Sequence, residues 1–344
     1  MINSEKEFKL EDILSKFSVN LQNKIQHSVE LLQKSERLAF AYDSDDGFYL
    51  AFSGGKDSQC LYHVARLAGV KFKAHMSLTS VDPPEVIRFV KKQYSDVNLI
   101  KPKRSIYQAF VEEQVLPSKF VRWCCREYKE GLGAGKVTLI GIRHTESARR
   151  ANRKEVEISG NKYRGDLEGL EDYRKARNAQ KRGRKPKGYR EITIVNAEGE
   201  RTLGCIRGKE TLLISPIIEW TDDDVWTFLN TLQIEHCELY NQGWKRIGCI
   251  GCPMSSLKQK LSENERYPHV KRNWIKAIKE VRAADNTILN TYKKDIWRAK
   301  PSSDRLTEEQ ENEIAENIYD WWISGKSYQK WYAEKFQQQN LGLE

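Results

Sequence analysis

The hexapeptide Ser53-Gly54-Gly55-Lys56-Asp57-Ser58 follows an apolar run, Phe48 to Phe52, and precedes a segment that carries Leu61, Val64, Ala65 and Ala68 at helical spacing. Strand, glycine turn and helix in that order make a phosphate cradle. Gly54 and Gly55 let successive backbone N–H groups converge on an anion. The helix opening near Asp57 adds the positive end of its dipole and further unpaired donors. Ser53 and Ser58 offer hydroxyls, and Lys56 offers a point charge. Asp57 either helps to place a metal ion or caps the helix. The spacing is not that of the Walker loop, which sets four residues between its first glycine and Gly-Lys-Ser/Thr.

The second chemical group is sulfur. Of seven cysteines, Cys249 and Cys252 stand in GCIGCP, a spacing that lets two thiolates grip one metal centre. Cys124 and Cys125 are adjacent in RWCCREYK, where Arg122 and Arg126 favour thiolates. Two pairs make a four-sulfur site, which takes zinc or an iron–sulfur cluster. The adjacent pair argues against a zinc ribbon, whose halves are both CxxC, and favours a four-iron, four-sulfur cluster. Zinc and metal-free redox cysteines are the alternatives. Cys60 and Cys237 read as structural, and Cys205 as structural or as a sulfur carrier.

These groups need elements to hold them. Residues 1–45 read as helices with two apolar stripes, Ile13, Leu14, Phe17 and Leu21, Ile25, Val29, Leu32. From Phe48 to about Thr145 strands and helices alternate: KFKAHMSL, PPEVIRFVKKQY, VNLIKP, a helix over Ile106 to Val115, and the strand KVTLIGI. The alternation predicts an α/β fold, a Rossmann-like doubly wound parallel sheet whose ligand lies beyond the carboxyl ends of its strands. Arg143, just past the last of these strands, reads as a phosphate-binding residue. Glu146 and Arg150, four apart, read as acceptor contacts or an ion pair on a helix. In ISPIIEWTDDDVWTFL, Trp220 is expected to end a strand and Thr221 to cap the next helix, with Asp222 to Asp224 in its acidic first turn.

A basic insertion at about 150–210 breaks the rhythm. Its KRGRKPKGYR, Lys181 to Arg190, reads as a solvated loop or a nucleic acid contact, and RGRKPKG resembles an AT-hook. A hairpin is expected after it, turned at Asn196 to Gly199. Residues 257–344 read as a helical region whose aromatics are mostly core. The expected organisation is thus helical N- and C-terminal extensions (1–45 and 257–344) around a nucleotide-binding domain, 46–256. The net charge of +10 favours acidic partners such as nucleotides or nucleic acid. No apolar run reaches membrane-spanning length and the N-terminus is too charged for a secretory signal, so the expectation is a cytoplasmic protein with no membrane partner.

SGGKDS resembles the PP-loop of the adenine nucleotide alpha hydrolase-like ATP pyrophosphatases. Together with VDPPEV, GIRHTESARR, ISPIIEWTDDDVWTFL and HCELYNQGWKRIGCIGCP, in that order, it resembles the phosphoadenosine phosphosulfate (PAPS) reductase family over roughly Phe48 to Ser255. Cys124, Cys125, Cys249 and Cys252 match the cluster-binding positions of the adenosine phosphosulfate reductases and the Dnd-type DNA phosphorothioation proteins. One departure matters: the assimilatory reductases carry a catalytic cysteine in an ECGLH-like segment, and here no cysteine follows Cys252.

The resemblance implies an ATP pyrophosphatase of sulfur transfer. Ser53, Gly54, Gly55, Lys56, Asp57 and Ser58 would hold ATP with Mg²⁺, Lys56, Asp57 and Arg143 would be catalytic, and an acceptor, DNA or RNA among the candidates, would be adenylated and then take sulfur from a cysteine desulfurase or another donor. A PAPS or adenosine phosphosulfate reductase using an external thiol is the alternative, and a non-enzymatic nucleotide sensor or DNA-binding regulator is the third reading.

Overall fold

The computed structural model describes residues 10–130, 133–159, 194–195, 201–203, 210–283 and 306–340. Lys181 to Arg190, the Asn196 to Gly199 turn and Cys205 lie outside the described residues. The chain divides into two compact units, one of Met1–Ser77, Pro84–Ile100 and Lys129–Ile247, the other of Leu78–Pro83, Lys101–Tyr128 and Gly248–Glu344.

The first unit is built on a six-stranded sheet. β1 (Phe48–Ala51), β2 (Phe72–Ser77), β3 (Asn98–Ile100), β4 (Val137–Leu139), β5 (Val156–Ser159) and β8 (Thr211–Ile214) lie in the order β3-β2-β1-β4-β8-β5. Phe48 and Leu50 in β1 and Val137 and Leu139 in β4 are fully buried, as apolar runs in a parallel sheet must be. Two short strands, β6 (Ile194–Val195) and β7 (Arg201–Leu203), pair antiparallel where the hairpin was expected.

The helices of this unit are α1 (Leu10–Leu14), α2 (Val19–Tyr42), α3 (Lys56–Leu67), α4 (Pro84–Gln93) and α7 (Asp222–Thr231). α2 buries the predicted stripe Leu21, Ile25, Val29 and Leu32 and packs on β1, β4 and α3. From β1 the chain steps outward through α3 to β2 and through α4 to β3. It then returns to the other side of β1 to form β4. That reversal is the topological switch point, where open α/β sheets leave a crevice for ligand. The fold is therefore a Rossmann-like doubly wound sheet, as the alternation predicted.

Two local expectations are corrected. β5 runs antiparallel to β8, with Val156 opposite Ile214 and Ser159 opposite Thr211, whereas the other pairs of this sheet are parallel. Trp220 does not end a strand: β8 stops at Ile214 and a turn over residues 216–219 follows. Thr221 does cap α7, its hydroxyl accepting from Asp224 N while the Asp224 carboxylate accepts from Thr221 N.

The second unit holds α5 (Ile106–Glu113), α6 (Trp123–Tyr128), α8 (Leu257–Arg266), α9 (Pro268–Ala283), α10 (Glu308–Ser324) and α11 (Tyr328–Asn340). Its core centres on Trp274, packed by the rings of Tyr107, Phe110 and Trp322. Tyr319 is also buried, while Tyr332 is exposed, so the tail aromatics are mainly core. Among the described residues no helix is long and apolar enough to cross a membrane.

Within α3, His63 meets the Tyr94 hydroxyl at 3.1 Å, and burial brings its pKa down to about 4. The folded state holds this imidazole neutral, whereas the unfolded chain protonates it near pH 6.5. Unfolding thus gains a proton between those values, and stability rises with pH across that window and is lost as pH falls through it. The expected loss from pH 7 to pH 4 is roughly 2–3 kcal/mol from this group. Urea titrations of wild type and His63→Gln over that range check it: the variant should show a shallower slope, and equal slopes would remove His63 as the cause.

Candidate active site

β1 delivers Phe52 and Ser53 to the switch point, and α3 starts two residues later with Gly55 as its N-cap. Gly54 sits at φ +72°, and a Cβ there would stand 2.8 Å from Val86 Cγ1 and 2.9 Å from Val90 Cγ2. The loop thus lies against α4, closer than any side chain permits. Ser58 Oγ ties the turn together, accepting from Ser53 N at 3.2 Å and donating to Gly55 O at 2.9 Å. Across the crevice the chain leaving β4 passes Gly141, where a Cβ would come 2.9 Å from the Asp57 carbonyl oxygen. The exit of β4 and the first turn of α3 therefore meet backbone to backbone.

Charge locks the same junction. Arg143, 3% exposed at its side chain, places Nε 2.7 Å from Asp57 Oδ1 and Nη2 2.8 Å from Asp222 Oδ1. Lys56, 7% exposed, places Nζ 2.8 Å from Asp222 Oδ1 and 3.2 Å from Asp57 Oδ2. Two buried cations and two carboxylates thus join α3, the β4 exit and α7. Burial opposes ionisation of Asp222, but Lys56 and then Arg143 outweigh it and hold the carboxyl below the usual carboxylate range. Burial likewise works against the charge of Arg143, and Asp57 and Asp222 overcome it and raise its pKa.

These contacts change the expected division of labour. Arg143 and Lys56 both face carboxylates, and the remaining guanidinium nitrogen of Arg143 donates to Thr145 Oγ1 at 3.0 Å. Glu146 and Arg150 form an ion pair, but on a short 3-10 turn, His144–Glu146, and the residues after it, not on an α-helix. Asp222, which sequence reasoning assigned to helix capping, is the hub of the network.

A cleft of about 150 Å³ opens over the loop, floored by Ser53, Gly55, Lys56 and Ser58 and walled by Glu146, Arg150, Tyr240, Lys245 and Arg246. Tyr240 Oη accepts the Lys56 backbone N–H at 2.9 Å, and its ring is held edge-on by Trp226 and by His236. Burial pushes the phenol pKa up, so the hydroxyl keeps its proton and can donate into the cleft. Lys245 and Arg246 are exposed, and among the described residues no carboxylate pairs with either. Sequence reasoning missed Tyr240, Lys245 and Arg246; the adjacent cations between Gly243 and Gly248 were the available signal.

In the other unit, the Cys124 thiol is pushed up by its hydrogen bond with Cys125, by burial, and by the charges of Cys125, Cys249 and Cys252. Arg122 Nη2 donates to Cys125 Sγ at 3.3 Å. Among the described residues no group of three or more His, Cys, Asp or Glu side chains is arranged to hold a metal ion as it stands. The donor set fits a metal centre on its chemistry, since soft cysteine sulfurs, once deprotonated, suit zinc or an iron–sulfur cluster. Cys60 is fully buried in α3, and Cys237 is buried too.

Residues 47–255 match the family model of the phosphoadenosine phosphosulfate reductase domain. The chain belongs to this family. An uncharacterized protein of Methanocaldococcus jannaschii is 24% identical over 302 residues, 87% of this chain and 62% of that one, so the chain spans under two thirds of that relative's length. Among solved structures, an FMN adenylyltransferase of Candida glabrata is 14% identical, covering 70% of this chain and 68% of its own, with a TM-score of 0.42. A PAPS reductase from Candida auris in a phosphate complex is 15% identical, covering 68% and 96%, with a TM-score of 0.38. The PAPS reductase domain of this chain places its SGGKDS loop at the switch point of a mostly parallel sheet, and its cysteine pairs in the second unit.

Proposed function

We propose that this member of the PAPS reductase family is an ATP pyrophosphatase that adenylates an acceptor for sulfur transfer. The observation that carries the reading is the cleft over the SGGKDS loop, where the α3 N-terminus, the Tyr240 hydroxyl and the free cations Lys245 and Arg246 converge. MgATP would enter with its β and γ phosphates on the loop amides and these cations. An acceptor oxygen attacks the α phosphorus, the bond to the β phosphate breaks, and pyrophosphate leaves. A sulfur nucleophile then displaces AMP from the activated acceptor. Lys56 and Arg143 act in this scheme through Asp57 and Asp222, fixing the mouth of the loop so that its donors need no reorganisation as charge develops.

Cys124, Cys125, Cys249 and Cys252 would hold a four-iron, four-sulfur cluster, with zinc as the alternative, and a cluster there would supply sulfur or electron relay. The basic segment Lys181 to Arg190 is the candidate contact for a nucleic acid acceptor. The family match itself favours a second reading, reduction of an adenylyl sulfate by an external thiol.

Anaerobic incubation with MgATP and, separately, with PAPS and thioredoxin separates the two. Pyrophosphate and AMP from ATP, lost in Lys56→Ala, support the pyrophosphatase; sulfite from PAPS with no ATP turnover rejects it. Removing one free cation, in Lys245→Ala or Arg246→Ala, should weaken pyrophosphate binding about tenfold, as loss of one charge-assisted hydrogen bond implies. Calorimetric titration checks this, and unchanged affinity in both variants would place the phosphates elsewhere.

A further inference from the structure

α8 is turned inside out. It exposes Leu257 and Leu261, 40% and 50%, and buries Lys260 and Glu263, 3% and 2%. Hiding two ionisable side chains while two leucines face water is unfavourable unless the buried pair has partners that need it. The partner of Glu263 belongs to the cysteine turn. Glu263 Oε2 accepts the Gly251 N–H at 2.6 Å, and Oε1 accepts from Gln259 Nε2 at 3.1 Å. Gly251, at φ +71°, stands directly before Cys252 in a turn closed by Cys252 N to Cys249 O at 3.2 Å. The preceding amide, Ile250 N–H, is bonded to Val81 O at 2.8 Å.

Lys260 Nζ donates to the Ile323 carbonyl, one acceptor for an ammonium with three donors. Burial, and then the charge of Lys119, lowers the Lys260 pKa, while Cys252 and Glu263 work in the other direction and favour the charged form. Ile323 also brings its Cδ1 to 4.0 Å from where a Gly251 Cβ would stand, so the buried Lys260 lies close behind the cysteine turn. We propose that Glu263 and Lys260 are positioning residues of the four-cysteine site. Glu263 fixes the Cys249–Cys252 turn through the Gly251 N–H, and Lys260 offsets the negative charge that the thiolates bring to a bound metal centre. The inference rests on the reading that these cysteines hold such a centre.

The full chain is reconstituted anaerobically with ferrous iron and sulfide, and iron and sulfide content, the rate of metal loss to a chelator and the midpoint potential are measured. Glu263→Leu, which leaves the Gly251 N–H without its acceptor, should lose metal at least about tenfold faster, the usual scale for outer partners of metal ligands. Glu263→Gln keeps an acceptor and should stay near wild type. Lys260→Met should shift the potential downward, since a nearby cation favours the more negative, reduced state, and Lys260→Arg should restore it. Should Glu263→Leu fail to fold by circular dichroism, the Lys260→Met and Lys260→Arg pair decides. Wild-type retention and potential in both Glu263→Leu and Lys260→Met overturn the proposal. A wild-type chain that takes up neither iron nor zinc overturns the metal-centre reading, and this proposal with it.

Discussion

Replacing Arg143 with alanine is expected to lower the unfolding free energy by about 3 kcal/mol and to cut pyrophosphate release by about two orders of magnitude or more. Arg143 is the group that touches Asp57 in α3 and Asp222 in α7 while sitting at the exit of β4. Without it, Lys56 alone faces two carboxylates. Asp57 is 24% exposed and Asp222 59%, so water takes up part of the lost compensation. The loss therefore belongs at the lower end of the range for breaking buried pairs. Arg143→Lys keeps the charge, but a single ammonium cannot reproduce the fork that reaches both carboxylates, so it should fall between wild type and alanine in stability and rate. Urea unfolding run beside a pyrophosphate assay checks both halves. An alanine variant within about 0.5 kcal/mol of wild type, the scale of a neutral surface change, would sink the claim that this network carries the junction.

The second large effect is expected at Gly54. At φ +72° an alanine costs about 1–2 kcal/mol from backbone strain alone. Its Cβ would also press on Val86 and Val90, and forcing α4 outward adds about 1–3 kcal/mol. Gly54→Ala should therefore be less stable than wild type by several kcal/mol and should bind pyrophosphate poorly, because the loop amides are re-aimed. Combining it with Val86→Ala relieves one contact and should return part of the stability without restoring binding, since the backbone strain remains. Full recovery of binding in the double variant would show that the clash with α4, and not the backbone conformation, governs the cradle.

Much of this was legible from local signals. The order of apolar strand, SGGKDS and amphipathic helix placed the loop, and the β/α alternation gave the sheet, because each depends on residues close in sequence. Thr221 was readable as a cap for the same reason. Asp222 was not, since helix capping explained its neighbourhood fully while its decisive partners, Lys56 and Arg143, lie far back in the chain. Tyr240 was hidden likewise: nothing beside it in sequence points to the Lys56 amide. Glu146 and Arg150 had helical spacing and do pair, yet a 3-10 turn brings them together equally well. The antiparallel β5 was invisible because strand direction depends on the connection, and the insertion masked the connection to β8. α8 defied its own pattern, exposing leucines and burying charges, since Glu263 takes a backbone N–H of the cysteine turn and Lys260 donates to the Ile323 carbonyl, partners outside the helix.

Ser159 and Thr211 face each other across β5 and β8, so the chain leaves the sheet and re-enters it on a single rung. That rung lies at the amino end of β8, at the edge away from the SGGKDS loop. Whatever is spliced between the two residues needs only to bring its own ends together. Closing such a loop grows costlier only slowly with length, by about 0.6 kcal/mol for each doubling. The position is therefore a natural graft point, where segments of different length and chemistry can be exchanged without altering the strand register that aligns the phosphate cradle.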